Sequence, residues 1–376
     1  MNPILQFGTS RFLQAHVDLF VSEAMTNGAA LGPITVVQST GSAQSEQRLA
    51  AFNRGHGYPV RIRGLRDGAV IDDELRVTSV RRGLHAERDW AEIRRHAAGE
   101  ARVIVSNTGD RGYDLSEHDH PGLLSADTAP RAFPAKLLVL LHARYRQGGA
   151  PITLFPCELV ANNGSALREV VLRLARDWAL EQAFVDWLQS RCIWINSLVD
   201  RIVSEPIEPA GAVAEPYALW VVEAQPDMEL PCTHPAIVVT RRLEPYERRK
   251  LFLLNLGHSF LAEQWLRGAR PAGETVLQAM ADHGLRAGLE ALWEEEVLPV
   301  FKALGEEAES RAYVEQVRDR FNNPYLAHRL ADIAQNHEEK KRRRLLPVVE
   351  LAGELGLGIA QARLRDALGL VALEVR

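Results

Sequence analysis

The sequence predicts an α/β fold: a Rossmann-type doubly wound sheet domain over residues 1–242, followed by a mostly α-helical domain over residues 243–376. Three observations predict it. The chain opens with an apolar run, a glycine turn and a helical pattern. Apolar runs recur through the first half and end in small polar residues, as parallel strands do at the edge where ligands bind. Beyond Leu243 the strand signal almost vanishes and 3.6-residue periodicity takes over.

A chain of 376 residues, 46% hydrophobic and 25% charged, suits two soluble globular domains with ample core. Its net charge of −5 gives no electrostatic reason to expect nucleic acid or an anionic membrane as partner. Cys157, Cys192 and Cys232 lie far apart, without CxxC or zinc-site spacing, so a reducing compartment and no metal are expected. The start lacks a basic n-region, and no apolar run approaches the ~20 residues needed to span a bilayer. The expectation is a cytoplasmic monomer or small homo-oligomer acting on a small molecule.

Taken in order, residues 3–7 form the first strand, and Ala15, Leu19, Phe20 and Ala24 mark the helix that follows. Between them Gly8 supplies a tight turn, but Ser10 and Leu13 stand where the second and third glycines of G-x-G-x-x-G would fall. A helix start still offers free N–H groups to a pyrophosphate. Phe7, Gly8, Thr9, Ser10, Arg11 and Phe12 are therefore the candidate cofactor turn, against the plain alternative of an ordinary βα turn. Residues 34–38 form the second strand. Gln38, Ser39 and Thr40 occupy the place where a carboxylate would bind the adenosine ribose of NAD, and no Arg stands beside them. The cofactor expected is NAD, with NADP as the alternative.

Residues 58–63 and 75–80 read as strands, 88–98 as a helix and 102–106 as a strand ending in Asn107-Thr108-Gly109-Asp110. Asn107 and Thr108 thus fall at the carboxyl edge of a parallel sheet, where a capping turn is the plain alternative. Phe133-Pro-Ala-Lys-Leu opens a helix of about three turns. After the strand 152–155, Asn162 and Asn163 stand at a turn before a helix whose Leu167, Val170, Val171 and Leu174 share one face. One amide either caps the helix or donates to a substrate oxygen. The Asp200-Arg201 pair follows on a short apolar segment, a setting where an ion pair is commonly structural. Residues 217–222 and 236–240 are the last strands.

The helical half opens on Lys250-Leu-Phe-Leu-Leu-Asn255-Leu-Gly-His258. Read as an α-helix, Leu251, Leu253 and Leu254 bury one side, while Asn255 and His258 come within about 140° of Lys250 at roughly 100° per residue. Unpaired burial of three such polar groups is costly, so their common direction points to a wet cavity. The bland reading is a surface Lys, an interior Asn and a satisfied core His. Further on, Gly268, Pro271, Gly273, Gly284, Gly305 and Pro324 punctuate the helices. Residues 338–344 are a charge run, by default a solvated turn.

The Lys-x4-Asn-x2-His spacing, after Tyr246-Glu-Arg-Arg, resembles the catalytic helix of the polyol-specific long-chain dehydrogenases. This family includes the mannitol dehydrogenases and the fructuronate and tagaturonate reductases. Asn196-Ser-Leu-Val-Asp200-Arg-Ile is similar to the Asn-Ser-Met-Val-Asp-Arg-Ile block of the family. Phe133-Pro-Ala-Lys, Pro156-Cys-Glu-Leu and Asn163-Gly look closest to the tagaturonate reductase branch. Residues 106–110 resemble that branch's Ser-Asn-Thr-Thr-Glu stretch, with Gly109-Asp110 departing from it. Arg320-Phe-Asn-Asn-Pro324 resembles the family's Arg-Phe-x-Asn-Pro block; His328 and Asp332 match the branch, and Lys340 and Arg344 fall where relatives carry Lys and Arg.

The resemblance implies metal-independent hydride transfer between a nicotinamide cofactor and an open-chain sugar acid, of the tagaturonate/altronate or fructuronate/mannonate type. It implies Lys250 as general acid/base, Asn255 and Asn163 as amide donors to the reacting oxygen, His258 orienting a hydroxyl and Asp200 orienting the site. Asn162, Arg320, His328, Lys340 and Arg344 fall on the substrate side, which is expected to lie between the domains. Lys340 or Arg344 would meet a substrate carboxylate. Two alternatives stand: a neutral polyol dehydrogenase of the mannitol type, and a non-enzymatic sugar- or nucleotide-binding regulator, suggested by the incomplete glycine fingerprint.

Overall fold

The computed structural model describes residues 1–39, 41, 43–109 and 111–370; Thr40 and Asp110, named above, lie outside the described residues. The chain divides into two compact units. The first holds Met1–Ile62, Asp73–Ala214 and Ala218–Leu243; the second holds Arg63–Asp72, Glu215–Tyr217 and the chain from Glu244 onward. Two short excursions thus join the helical unit before the main run of helices begins.

In the first unit, β1 (Ile4–Phe7) leads through α1 (Arg11–Gln14) and α2 (Val17–Thr26) to β2 (Ile34–Gln38) and α3 (Ala43–Asn53). Next come β3 (Tyr58–Arg66), β4 (Ala69–Val77), β5 (Val80–His85), α4 (Trp90–Gly99) and β6 (Val103–Ser106). Then follow α5 (Phe133–Arg146), β7 (Ile152–Pro156), α6 (Asn163–Asp177), α7 (Gln182–Ser190) and β8 (Cys192–Trp194). The last strands are β9 (Ser197–Asp200), β10 (Val203–Pro206), β11 (Ala212–Ala214), β12 (Leu219–Glu223) and β13 (Ile237–Thr240).

Six strands form one sheet in the order β5-β2-β1-β6-β7-β8, with every neighbouring pair parallel. Renumbered by entry into the sheet, that is the doubly wound order 3-2-1-4-5-6, whose direction of winding reverses between β1 and β6. Every residue of β1 and β2 is buried, as expected of parallel strands covered on both faces. Leu5, Phe7, Val37, Ile104 and Leu154 pack with Trp90, Leu137, Leu141 and Val171 of the covering helices.

Two elements differ from the sequence reading. The run 75–80, expected as one strand, breaks at Thr78-Ser79. The Thr78 N–H donates to Ser22 Oγ at 2.8 Å and Ser79 Oγ donates to the Asp18 carbonyl at 2.6 Å, so side-chain bonds replace the ladder there. The third parallel strand is therefore β5. The sixth, β8, has only three residues, too few to carry a periodic signal.

The second unit is built of helices. A continuous helical run contains α8 (Glu244–Arg249), a π-helical turn at Lys250–Asn255 and α9 (Leu256–Arg267). Further helices are α10 (Val276–Ala281), α11 (His283–Leu292), α12 (Leu298–Ala303) and α13 (Glu307–Phe321), with a second π-helical turn, Trp293–Val297, between α11 and α12. α14 (Leu330–Ile333), α15 (His337–Arg344), α16 (Leu346–Glu354) and α17 (Ala362–Leu368) complete it. Leu253, Leu256, Leu261, Leu289, Trp293, Phe301 and Val317 lie in its core. The charge run expected as a solvated turn is helix α15, and it is partly internal: Lys341 is buried and bonds Glu263 Oε2 at 3.2 Å and the Ala367 carbonyl at 3.0 Å. Among the described residues no helix is long and apolar enough to cross a membrane, and no group of three or more His, Cys, Asp or Glu could hold a metal ion.

Candidate active site

The carboxyl edge of the parallel sheet gathers most of the expected cofactor residues. Gly8 follows β1 with φ +115°, and a Cβ on it would sit 2.5 Å from the Asn107 carbonyl oxygen after β6. Only glycine fits there, at the point where the winding of the sheet reverses. Ser10 caps the next helix, its Oγ accepting the Leu13 N–H at 3.2 Å, and it donates to Asn107 Oδ1 at 3.4 Å. That helix is a single turn, α1, before the chain bends at Ala15-His16 into α2. Phe7 is buried beneath the turn, and Phe12 stacks on His16 with ring centroids 4.7 Å apart. Arg11 is exposed and donates to the Ser204 carbonyl at 3.1 Å.

Thr9 Oγ1 donates to Gln38 Oε1 at 2.5 Å, and both residues are buried. Gln38 thus ties the ends of β1 and β2 together, and Ser39, which is exposed, is the polar group offered outward beyond it.

Glu158, which sequence reasoning did not single out, organises the next part of this edge. Its buried carboxylate accepts from Ser106 Oγ at 3.1 Å, the Thr108 N–H at 3.0 Å, Thr108 Oγ1 at 2.9 Å and the Tyr113 hydroxyl at 3.3 Å. Burial, reinforced by the Glu158 charge, raises the Tyr113 hydroxyl far above its usual ionisation range. Asn107 Nδ2 donates to the Cys157 carbonyl at 2.8 Å. Asn107 and Thr108 are thereby locked onto the segment after β7. The signal was present in the quoted Pro156-Cys-Glu-Leu block, as a carboxylate placed directly after a parallel strand.

The two asparagines before α6 separate cleanly. Asn163 is 1% exposed, and its Nδ2 faces the carbonyls of Pro156 at 3.0 Å, Glu158 at 3.2 Å and Ser197 at 3.0 Å. Its Oδ1 accepts the N–H groups of Gly164 and Ser197, both at 2.9 Å. Asn163 was expected to donate to a reacting oxygen; in this structure its amide faces backbone groups of the fold. Asn162 is exposed, in the left-handed conformation with φ 49°, and makes no capping bond. Asp200 is buried at the end of β9, near His16, whose pKa burial lowers to about 3 while the Asp200 charge opposes that shift.

In the second unit the stretch Lys250–His258, expected to be catalytic, takes a geometry the α-helical reading did not foresee. Lys250–Asn255 form a π-helical turn, whose bonds span five residues and bring positions five apart close to register. Asn255 therefore follows Lys250 along the helix instead of lying about 140° away. The wider turn also changes the buried face: Phe252, Leu253 and Leu254 are buried, and Leu251, expected inside, is only half-buried.

His258 is 7% exposed, its ring 4.4 Å from Phe321 and 4.8 Å, edge-on, from His328. Burial lowers the His328 pKa; Lys340, Arg320 and Arg344 push the same way and Asp332 opposes them. Lys340 Nζ donates to the Ile333 carbonyl at 2.8 Å, and Arg344 Nη1 donates to Ser259 Oγ at 3.1 Å beside His258. Burial and the Arg344 charge depress Lys340 too. The helical unit thus gathers the His258 and His328 rings with the cations Lys340 and Arg344, and the two cations give the cluster a positive potential. Arg320 contributes charge but is already engaged. Its guanidinium, expected on the substrate side, pairs with buried Glu215 at 3.0 and 2.9 Å and lies 4.3 Å from the Tyr217 ring centroid.

Comparison with known proteins agrees with this architecture. The mannitol dehydrogenase Rossmann domain model matches residues 2–232, and the mannitol dehydrogenase C-terminal domain model matches residues 242–370. The chain is 33% identical to an altronate oxidoreductase of Halalkalibacterium halodurans over 92% of this chain and 69% of that protein. It is 32% identical to those of Bacillus subtilis, over 92% and 74%, and Escherichia coli, over 97% and 78%. Among solved structures, a substrate-free D-sorbitol dehydrogenase superposes with a TM-score of 0.82 at 21% identity, covering 99% of this chain and 82% of that one. The Pseudomonas fluorescens mannitol 2-dehydrogenase ternary complex with NAD and D-mannitol gives 0.71 at 19% identity, covering 100% and 81%. Those two likenesses establish the fold. With both domain models in order along nearly the whole chain, the sheet edge and the π-turned Lys-Asn-His helix belong to a member of the mannitol dehydrogenase family.

Proposed function

We propose that this protein is an NAD-dependent oxidoreductase that interconverts a secondary alcohol and a ketone on an open-chain sugar acid, an aldonate/ketohexuronate pair of the altronate/tagaturonate type. The observation that carries the acidic substrate is the cluster of Lys340, Arg344 and His328 around His258. A neutral polyol has no use for the paired charges of Lys340 and Arg344, whereas a carboxylate neutralises them; His328, whose pKa burial lowers, adds a hydrogen-bonding ring and not a charge. The altronate oxidoreductases at 32–33% identity support the same substrate class.

The residues present fit NAD. Gly8 lets the turn after β1 close against the Asn107 carbonyl, where any Cβ would clash, and the Gly8–Phe12 turn, Ser39, Asn107 and Thr108 line the sheet edge where the winding reverses. Bound there, NAD supplies the hydride acceptor, and its reduced form the donor. The chain supplies the rest. Lys250 accepts the hydroxyl proton as the alcohol is oxidised and returns it in the reverse direction. Asn255, one π-repeat along, donates its amide to the oxygen as charge develops on it. His258, held between Phe321 and His328, orients a neighbouring hydroxyl, and Lys340 with Arg344 holds the carboxylate. Asp200 orients its surroundings without exchanging the proton, and Asn162 replaces Asn163 as the amide available to substrate from the α6 turn.

The test is the absorbance of reduced nicotinamide with NAD and a panel of aldonates and neutral polyols. Turnover on aldonates, abolished in Lys250→Ala with NAD binding retained, is expected. Turnover confined to neutral polyols, or an active Lys250→Ala, would overturn the reading.

A further inference from the structure

Asn255 lies five residues after Lys250, and whether the two can serve one oxygen depends on the helical repeat between them. In an α-helix they diverge by about 140°. In the π-helical turn the Leu256 N–H reaches back five residues to the Leu251 carbonyl, and the two positions come close to register. A wide turn of this kind is rare and persists where something outside the helix holds it.

The Trp293 indole N–H donates to the Leu253 carbonyl, in the middle of the turn, at 3.2 Å. Trp293 is fully buried, and its ring is fixed from both sides. Gly257 makes room for it, since a Cβ there would sit 3.0 Å from Trp293 Cζ2 and 3.2 Å from Phe321. The Phe321 ring packs 6.0 Å from the Trp293 ring and 4.4 Å from His258. One aromatic wall therefore touches the turn carrying Lys250 and Asn255 and also the imidazole that follows it.

We infer that Trp293 is a positioning residue for the catalytic helix: its indole N–H holds Leu253 in the wide turn that sets Asn255 in register with Lys250. This rests on Lys250 and Asn255 acting on the substrate oxygen. Trp293 is fully buried behind the helix, and its effect passes through the backbone at Leu253.

The experiment uses the full chain with Trp293→Phe, together with a protein in which benzothiophene replaces the indole of Trp293. The second keeps the ring shape, loses only the N–H, and covers the case in which Trp293→Phe packs poorly. The expected result is NAD binding like that of the parent, kcat lower on the order of tenfold or more, and KM within about twofold. The acid limb of the kcat–pH profile should shift, which a loss of stability alone would not produce. A crystal structure of either variant should show residues 250–255 with α-helical spacing. Full kcat with an unmoved pH profile, or a π turn retained without the N–H, would overturn the inference. Lys250→Ala separates the two claims: if that variant turns over, the acid/base reading fails, while the helical spacing in the Trp293 variants still judges the positioning role.

Discussion

Asn163 Nδ2 faces three buried carbonyls, of which that of Pro156 also accepts from Ser197 Oγ at 2.6 Å, and its Oδ1 accepts two N–H groups. Truncation leaves buried groups among them unsatisfied, at a cost on the order of 2–3 kcal/mol. Asn163→Ala is thus expected to lower the melting temperature by several degrees, whereas Asn162→Gly, which keeps the exposed left-handed conformation, should leave it nearly unchanged and reduce kcat/KM. Thermal melts beside steady-state kinetics decide it, and equal stability losses would refute the division of roles. Arg320→Ala is the second residue-scale case. It leaves the Glu215 carboxylate buried without its cation, so a loss of about 3–5 kcal/mol in denaturant unfolding is expected. Sequence singled out all three residues. It could not say which of two adjacent amides faces inward, or that Arg320 has a buried partner 105 residues away, because those facts belong to tertiary packing.

At the scale of elements, the strand-turn-helix opening, the parallel strands and the helical second half were legible because each carries its own periodicity. The π turn was not. Its residues show ordinary helix-forming apolar spacing, and what widens it, Trp293 and the space over Gly257, lies elsewhere in the chain. β5 was hidden by the apolar continuity of Leu75 to Val80, broken only by side-chain bonds from Ser22 and Ser79. Glu158 was overlooked for a similar reason, since a carboxylate reads as surface until its donors are known. Ser106, Thr108 and Tyr113 all converge on it, so it sets the conformation of the segment after β6. Glu158→Gln turns an amide N–H toward groups that are themselves donors. A loss on the order of 1.5–3 kcal/mol is expected, with faster amide exchange around Thr108 and weaker NAD binding. Unchanged exchange and affinity would show that the segment holds itself.

At the scale of the whole molecule, two buried groups of the first unit pull stability in opposite directions as pH changes. Burial raises Asp18 from 3.8 to about 7, against the opposing hydrogen bonds of Tyr58, at 2.6 Å, and Gln6. Its carboxyl is thus protonated in the fold where the unfolded chain has lost the proton, so stability is fully present below pH 3.8 and is lost as pH rises towards 7. Burial lowers His16 from 6.5 to about 3; Arg201 and His234 add to the shift, and the Leu219 carbonyl and Asp200 oppose it. The unfolded chain gains a proton that the fold refuses, and stability is lost as pH falls from 6.5 towards 3. Between about pH 4 and 6.5 each group exchanges close to one proton on unfolding, so the two slopes offset one another. Asp18→Asn removes one slope and keeps an acceptor for the Tyr58 hydroxyl. Its stability relative to the parent should therefore grow with pH from 4 to 7, by on the order of a few kcal/mol. Urea unfolding of both proteins across that range measures the difference directly. A constant difference would mean that Asp18 is ionised in the fold, and that its charge has a donor stronger than Tyr58 and Gln6 supply.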